Sequence, residues 1–227
     1  MKHSKSAVRR HKRQVFLVDD HPVTREGLAR LINHETDLEV CGEAGTAAKA
    51  LPAIEKAKPD LVIVDVSLTK GASGLELIKD LAVRQSRLPV LTFSTHDEAL
   101  YAERALRAGA RGYVMKQEPT ANIMQAIRKT LNGEIYLSKA MNDRLLHKLV
   151  QPHSVSAASE VEHLSDRELE VFRLLGRGHG TRAIAKELHL SVSTVESHRA
   201  HIKDKLHIHT APALVRHAVE WVHSQVT

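Results

Sequence analysis

Four short runs in the first two thirds of the chain are apolar almost without a break: Val15-Phe16-Leu17-Val18, Leu61-Val62-Ile63-Val64, Pro89-Val90-Leu91-Thr92-Phe93 and Gly112-Tyr113-Val114-Met115. A strand with one wet face alternates apolar and polar positions, so runs of this kind predict strands buried on both faces. Leu38-Glu39-Val40-Cys41 reads as a further strand. Segments with helical spacing separate them, at 22–32 (Val23, Leu28, Leu31, Ile32), 44–56, 75–83, 98–108 and 120–131. Pro22 suits a first helical turn, whereas Pro52 is expected to kink or shorten the second helix. Gly109 and Asn132-Gly133 are stop signals. Strict strand–helix alternation over 15–133 predicts a parallel sheet with helices on both faces.

The remainder is helical. Residues 138–150 (Met141, Leu145, Leu146, Leu149) predict a linker helix, and the Ser/Ala-rich stretch 153–160 a flexible tether. Ser165-Asp166-Arg167-Glu168 is a capping box opening a helix to about 175. A short helix at 181–188 follows. Ser193-Thr194-Val195-Glu196 has the spacing of a second capping box, opening a helix to about 206. Residues 211–226 form a last amphipathic helix.

Charge changes the picture less than its total suggests. The chain of 227 residues carries a formal +6. Lys2, Lys5, Arg9, Arg10, Lys12 and Arg13 supply all of it, so the excess belongs to a basic tail, 1–14, expected to be disordered. A tail of this kind can add phosphate contacts to a DNA complex. No apolar run approaches the roughly 18 residues that span a bilayer. Cys41 is the single cysteine, so no intrachain disulfide forms, and a cytoplasmic protein without membrane contact is expected. Cys41 itself reads as a small core residue.

The chemistry sits where the strands end. Ligands of an open parallel sheet bind outside the carboxyl ends of its strands. Here those ends read Asp19-Asp20, Asp65, Ser94 and Lys116. Clustered carboxylates call for a cation, and magnesium prefers such oxygen ligands while keeping positions open for phosphate. A carboxylate can attack phosphorus to form an acyl phosphate; Lys116 and Ser94 can supply positive charge and a donor. Gly42-Glu43-Ala44-Gly45 lacks the three-glycine dinucleotide fingerprint and is set aside.

With Asp19-Asp20, Asp65, Ser94, Tyr113 and Lys116, residues 15–133 resemble the receiver domain of bacterial response regulators. The resemblance implies a flavodoxin-like fold, a five-stranded parallel sheet in the order 2-1-3-4-5. It implies Mg2+ held by Asp20 and Asp65 with Asp19 in support. Asp65 is then the acceptor of phosphate from a histidine kinase or a small phosphodonor, in a reaction the receiver itself catalyses. Ser94 moves to bond the phosphate and the Tyr113 ring turns inward behind it. The sequence departs from the family after the acceptor: where a Met-Pro-Gly turn is usual, it has Leu68-Thr69-Lys70-Gly71-Ala72-Ser73-Gly74.

Leu164-Ser165-Asp166-Arg167-Glu168, Ile184-Ala185, Leu188, Ser191, Thr194-Val195, His198, Ile202 and Lys205-Leu206 resemble a LuxR-type helix-turn-helix. An all-α DNA-binding domain, 161–227, thus follows a linker and tether, 134–160. The layout is that of the NarL/FixJ family. It implies a transcription regulator, a homodimer on an inverted-repeat site in double-stranded DNA, with RNA polymerase as a further partner. Thr194, Ser197, Arg199, Lys203 and Lys205 are the candidate DNA contacts on the third helix of the motif. Glu196 is either the capping partner of Ser193 or an acceptor for a cytosine amino group. His198, His201, His207 and His209 lack ligand-spaced cysteines or carboxylates, so they read as titratable groups rather than a metal site. The alternatives are a phosphorylation-independent regulator of the same layout and an Asp65-nucleophile phosphatase; the latter lacks a substrate-binding cap.

Overall fold

The computed structural model describes residues 12–68, 72–150, 161 and 163–224. They form two compact units, residues 1–147 and 148–227, each considered separately.

In the first unit, strands β1 (Arg13–Val18), β2 (Leu38–Ala44), β3 (Leu61–Val64), β4 (Val90–Ser94) and β5 (Gly112–Met115) form one parallel sheet in the order β2-β1-β3-β4-β5. Helices α1 (Pro22–His34), α2 (Ala47–Ala57), α3 (Gly74–Arg84), α4 (Glu98–Ala108) and α5 (Thr120–Leu131) alternate with the strands, and α6 (Lys139–Val150) follows. Each strand feeds both faces. Leu61 and Ile63 join a core with Leu28 and Ile32 of α1 and Ile123 and Ile127 of α5. Val62 and Val64 are buried on the opposite side. That two-sided burial is why the strand sequences do not alternate.

Three expectations for this unit need correction. Pro52 does not shorten α2, which continues past it to Ala57. The proline lies on the exposed face, where water can satisfy the carbonyl left without its helical donor. Arg13 and Gln14, assigned to the tail, are the first residues of β1. Asp60 holds them, accepting from Arg13 Nη1 at 3.0 Å and from the Gln14 N–H at 2.8 Å. Cys41 is half-buried rather than core, because the β1–β2 register skips it at a bulge beside Val15. Burial pushes its thiol pKa up, which fits an unreactive cysteine. The other tail residues, Lys12 excepted, the tether at 153–160, and Thr69, Lys70 and Gly71 of the unusual loop lie outside the described residues.

The second unit contains α7 (Asp166–Gly176), α8 (Thr181–Glu187), α9 (Val192–Lys205) and α10 (Ala211–Ser224). Ser165 and Glu168 cap α7 reciprocally, as the spacing predicts. Phe172 of α7 packs against Trp221 of α10 with ring centroids 5.5 Å apart. Between α8 and α9 the chain turns through His189, held at φ 52. The second capping box does not form. Ser191 is the N-cap of α9, its Oγ accepting the Thr194 N–H at 3.0 Å. Ser193 is already helical, and Glu196 is free for another task.

Candidate functional site

Four of the five parallel strands deliver residues to a common edge. β1 leads into Asp19-Asp20, β3 into Asp65 and β5 into Lys116, while β4 ends on Ser94. Asp19 and Asp65 are 5% and 2% exposed. The Lys116 ammonium reaches both, 2.6 Å from Asp19 Oδ2 and 2.8 Å from Asp65 Oδ2. Burial pushes the Asp65 carboxyl pKa up, and Lys116 only partly opposes it. Burial pulls Lys116 down, but the two carboxylates outweigh it and leave the ammonium firmly charged. The other Asp65 oxygen, Oδ1, accepts the Ser67 N–H at 3.0 Å. Gly74, the first residue of α3, passes so near that a Cβ there would lie 1.9 Å from the Asp65 carbonyl oxygen. Only glycine lets α3 start against the Asp65 backbone.

A second layer lies behind these groups. Ser94 is buried and its Oγ accepts the His96 N–H at 3.1 Å. Tyr113 is turned inward, 1% exposed, with its hydroxyl donating to the His96 carbonyl at 2.8 Å. Burial raises its pKa well beyond the usual tyrosine range, so the phenol remains a donor. The His96 ring stacks on Tyr101 at 4.5 Å between centroids, and its Nε2 meets Ser67 Oγ at 2.8 Å. Sequence reasoning missed His21, Ser67 and His96. His21 Nδ1 lies 2.9 Å from Asp20 Oδ1 and 3.3 Å from Asp19 Oδ1. A signal existed: Ser67 and His96 each stand two residues beyond a named strand-end residue.

In the second unit the candidate DNA residues divide. Ser197 is exposed and donates to the Ser193 carbonyl at 3.1 Å. Thr194 Oγ1 meets Ser191 Oγ at 2.7 Å. Lys203 has no side-chain partner among the described residues. Arg199 is largely buried: its guanidinium donates to Thr181 Oγ1 of α8 and, at 2.8 Å, to Glu196 Oε1. Lys205 pairs with Glu168 Oε2 at 2.6 Å. Glu168 is the N3 residue of the α7 capping box. Its carboxyl, raised by burial, is brought net below the usual range by Lys205 and the Ser165 N–H.

Two family models cover most of this chain. The response regulator receiver domain matches residues 15–128. The luxR family of bacterial regulatory proteins matches residues 162–218. The chain belongs to the two-component response regulators with a LuxR-type DNA-binding domain, and it is a DNA-binding transcription regulator. It is 32% identical over 210 residues to the oxygen regulatory protein NreC of Staphylococcus aureus strain JH9, covering 91% of this chain and 97% of that one. NreC of Staphylococcus haemolyticus is 33% identical over the same spans. A LuxR-family response regulator structure from Aurantimonas sp. SI85-9A1 is 32% identical with a TM-score of 0.57, covering 62% of this chain and 99% of its own. The response regulator ChrA of a heme-sensing two-component system is 29% identical with a TM-score of 0.51, covering 92% and 98%.

For a receiver domain the acidic pocket is the place to ask whether a divalent cation fits. Ligand atoms of Asp19, Asp20, His21 and Asp65 all lie within 4.8 Å of one another. Three of the four are carboxylate oxygens, the donors magnesium selects. Among the described residues no other His, Cys, Asp or Glu group is placed this way. With one ammonium against three carboxylates, the pocket has charge to spare for a cation, and the residues fit it.

Proposed function

We propose that this response regulator is switched by phosphorylation of Asp65 in its receiver, residues 15–133, and reads DNA through residues 161–227. The observation that carries this reading is the shared contact of Lys116 with Asp19 and Asp65. It draws the nucleophile, the acidic cluster and the charge-neutralising ammonium into one pocket. Asp19, Asp20 and Asp65 would hold Mg2+, which supplies positive charge to the phosphoryl oxygens. An Asp65 carboxylate oxygen attacks phosphorus. The bond from phosphorus to the donor, a kinase phosphohistidine or a small acyl phosphate, breaks, and the donor leaves with its electron pair. Lys116 and the Ser94 hydroxyl then bond the new phosphoryl oxygens. Ser94, His96 and Tyr113 are already linked through the His96 backbone. Movement of Ser94 is therefore felt by the inward Tyr113 ring. In this reading the receiver catalyses its own phosphorylation and dephosphorylation.

The output is a homodimer on an inverted repeat, with the third helix of the motif in the major groove. In this reading Thr194, Ser197 and Lys203 contact DNA. Arg199 acts chiefly by fixing α9 to α8, and Lys205 by fixing Glu168. The cognate histidine kinase and RNA polymerase are the protein partners, and the cytoplasm is the site of action. Among the described residues no helix is long and apolar enough to cross a membrane.

The test is intact mass after incubation with acetyl phosphate and Mg2+. One phosphoryl group is expected on the wild type, mapped to the peptide holding Asp65, and none on Asp65→Asn. A phosphoryl group retained by Asp65→Asn would refute the assignment.

A further inference from the structure

The opposite edge of the receiver sheet, where the strands begin, carries a second concavity of about 720 Å³. Arg13, Lys58, Arg84, Arg87 and Arg111 line it, with Asp60 as the one carboxylate. Residues 15–147 hold 17 basic and 18 acidic side chains. The cleft is therefore a local concentration of positive charge on a near-neutral body.

Helices α2, α3 and α5 end at this edge, and helix C-termini attract cations. That explains Lys58 and Arg84, at the ends of α2 and α3. It does not explain Arg13, Arg87 and Arg111, which lie in β1 or just ahead of β4 and β5. Arg13 is steadied by Asp60 at 3.0 Å and Arg111 by the Gly133 carbonyl at 3.3 Å. The Arg87 and Lys58 side chains have no hydrogen bond or ion pair among the described residues. Lys58 sits at φ 50, ψ 58, a left-handed helix end where glycine is the usual residue. Thr130 also lines the cleft. It is fully buried, yet its Oγ1 has no hydrogen-bond partner, whereas buried hydroxyls are nearly always paired.

We propose that this cleft binds a short phosphate chain. Arginine forks match phosphate oxygens two at a time, and four of the five cations are arginines. Thr130 Oγ1 has no solvent-exposed surface, so it does not meet the ligand directly. The volume suits a small ligand and is far too small for a duplex. No aromatic residue lines the cleft, so nothing stacks on a base; the phosphates are read and any nucleoside is not. Inorganic oligophosphate and nucleoside triphosphates are two sources of that chemistry. The site is remote from Asp65, so it stands or falls independently of phosphorylation there.

Calorimetry of the full chain without Mg2+ tests this, using sodium tripolyphosphate and ATP as separate probes. The basic tail would also attract these anions, so the control replaces Lys2, Lys5, Arg9, Arg10 and Lys12 by Ala. Both probes are expected to bind with similar affinity, and the tail variant to retain most of it. Arg87→Ala and Lys58→Ala, both exposed and unpaired, should each weaken binding about tenfold. A much stronger response to ATP than to tripolyphosphate would contradict phosphate recognition and point to a base-reading site. No binding, binding indifferent to Arg87→Ala and Lys58→Ala, or binding lost only in the tail variant would overturn the proposal. So would an effect of the cleft variants confined to duplex DNA affinity.

Discussion

Lys116 Nζ lies 2.8 Å from Asp65 Oδ2, although 51 residues separate them, and the same ammonium lies 2.6 Å from Asp19. One cation thus holds two buried carboxylates together before any ligand arrives. Lys116→Ala should strand both. Without Mg2+ its stability to urea is expected to fall by about 1–3 kcal/mol, the cost of leaving buried charged groups unpaired. Added Mg2+ should restore more stability to the variant than to the wild type, because the cation takes over the missing charge. Equal stability of variant and wild type without Mg2+ would contradict this role.

Lys203 and Lys205 are both basic residues near the end of α9, but only Lys205 is committed within the fold. Lys203→Ala is expected to lower the slope of log affinity for DNA against log salt by roughly one. Lys205→Ala should leave that slope nearly unchanged and instead destabilise the DNA-binding unit by about 1 kcal/mol, since Glu168 loses its ammonium partner. Salt titrations by fluorescence anisotropy, with thermal unfolding of the same proteins, separate the two. A reversed pattern would show that the Lys205–Glu168 pair opens on DNA.

His198 gives a pH prediction. Burial lowers its pKa below the ordinary 6.5, with Glu168 opposing and His201 and Arg167 adding to the shift. The folded state therefore favours the neutral ring. At pH below about 6.5 the unfolded chain binds the proton more readily, so this residue's contribution makes stability fall as pH drops. An NMR titration of the His198 ring should show a midpoint below 6.5, and His198→Gln should flatten the decline in stability between pH 7 and 5. A midpoint at or above 6.5 would mean that Glu168 dominates.

Much of this was legible in the sequence for physical reasons. Leu61-Val62-Ile63-Val64 can be unbroken only because both faces of β3 are covered. Asp65 was readable as a strand-end carboxylate because the chain leaves the sheet there. Gly109, at φ 114, ended α4 where a glycine signal predicts. The failures also have causes. Ser193 and Glu196 have the spacing of a capping box, but the left-handed His189 turns the chain early enough for Ser191 to cap first. The Arg199–Thr181 and Lys205–Glu168 contacts join residues 18 and 37 positions apart, and no local pattern announces them. The intrachain partners of Arg199 were not readable for that reason. Ser67 and His96 escaped notice because their contact exists only once β3 and β4 lie side by side.

Asp65 is proposed to control what α9 does. The most direct measurement is DNA affinity of the full chain for a selected inverted-repeat site at fixed salt, with Mg2+, before and after beryllofluoride. The wild type should bind tighter or in a new oligomeric state after treatment, and Asp65→Asn should not respond. An unresponsive wild type, or an Asp65→Asn protein that responds as fully as the wild type, would contradict it.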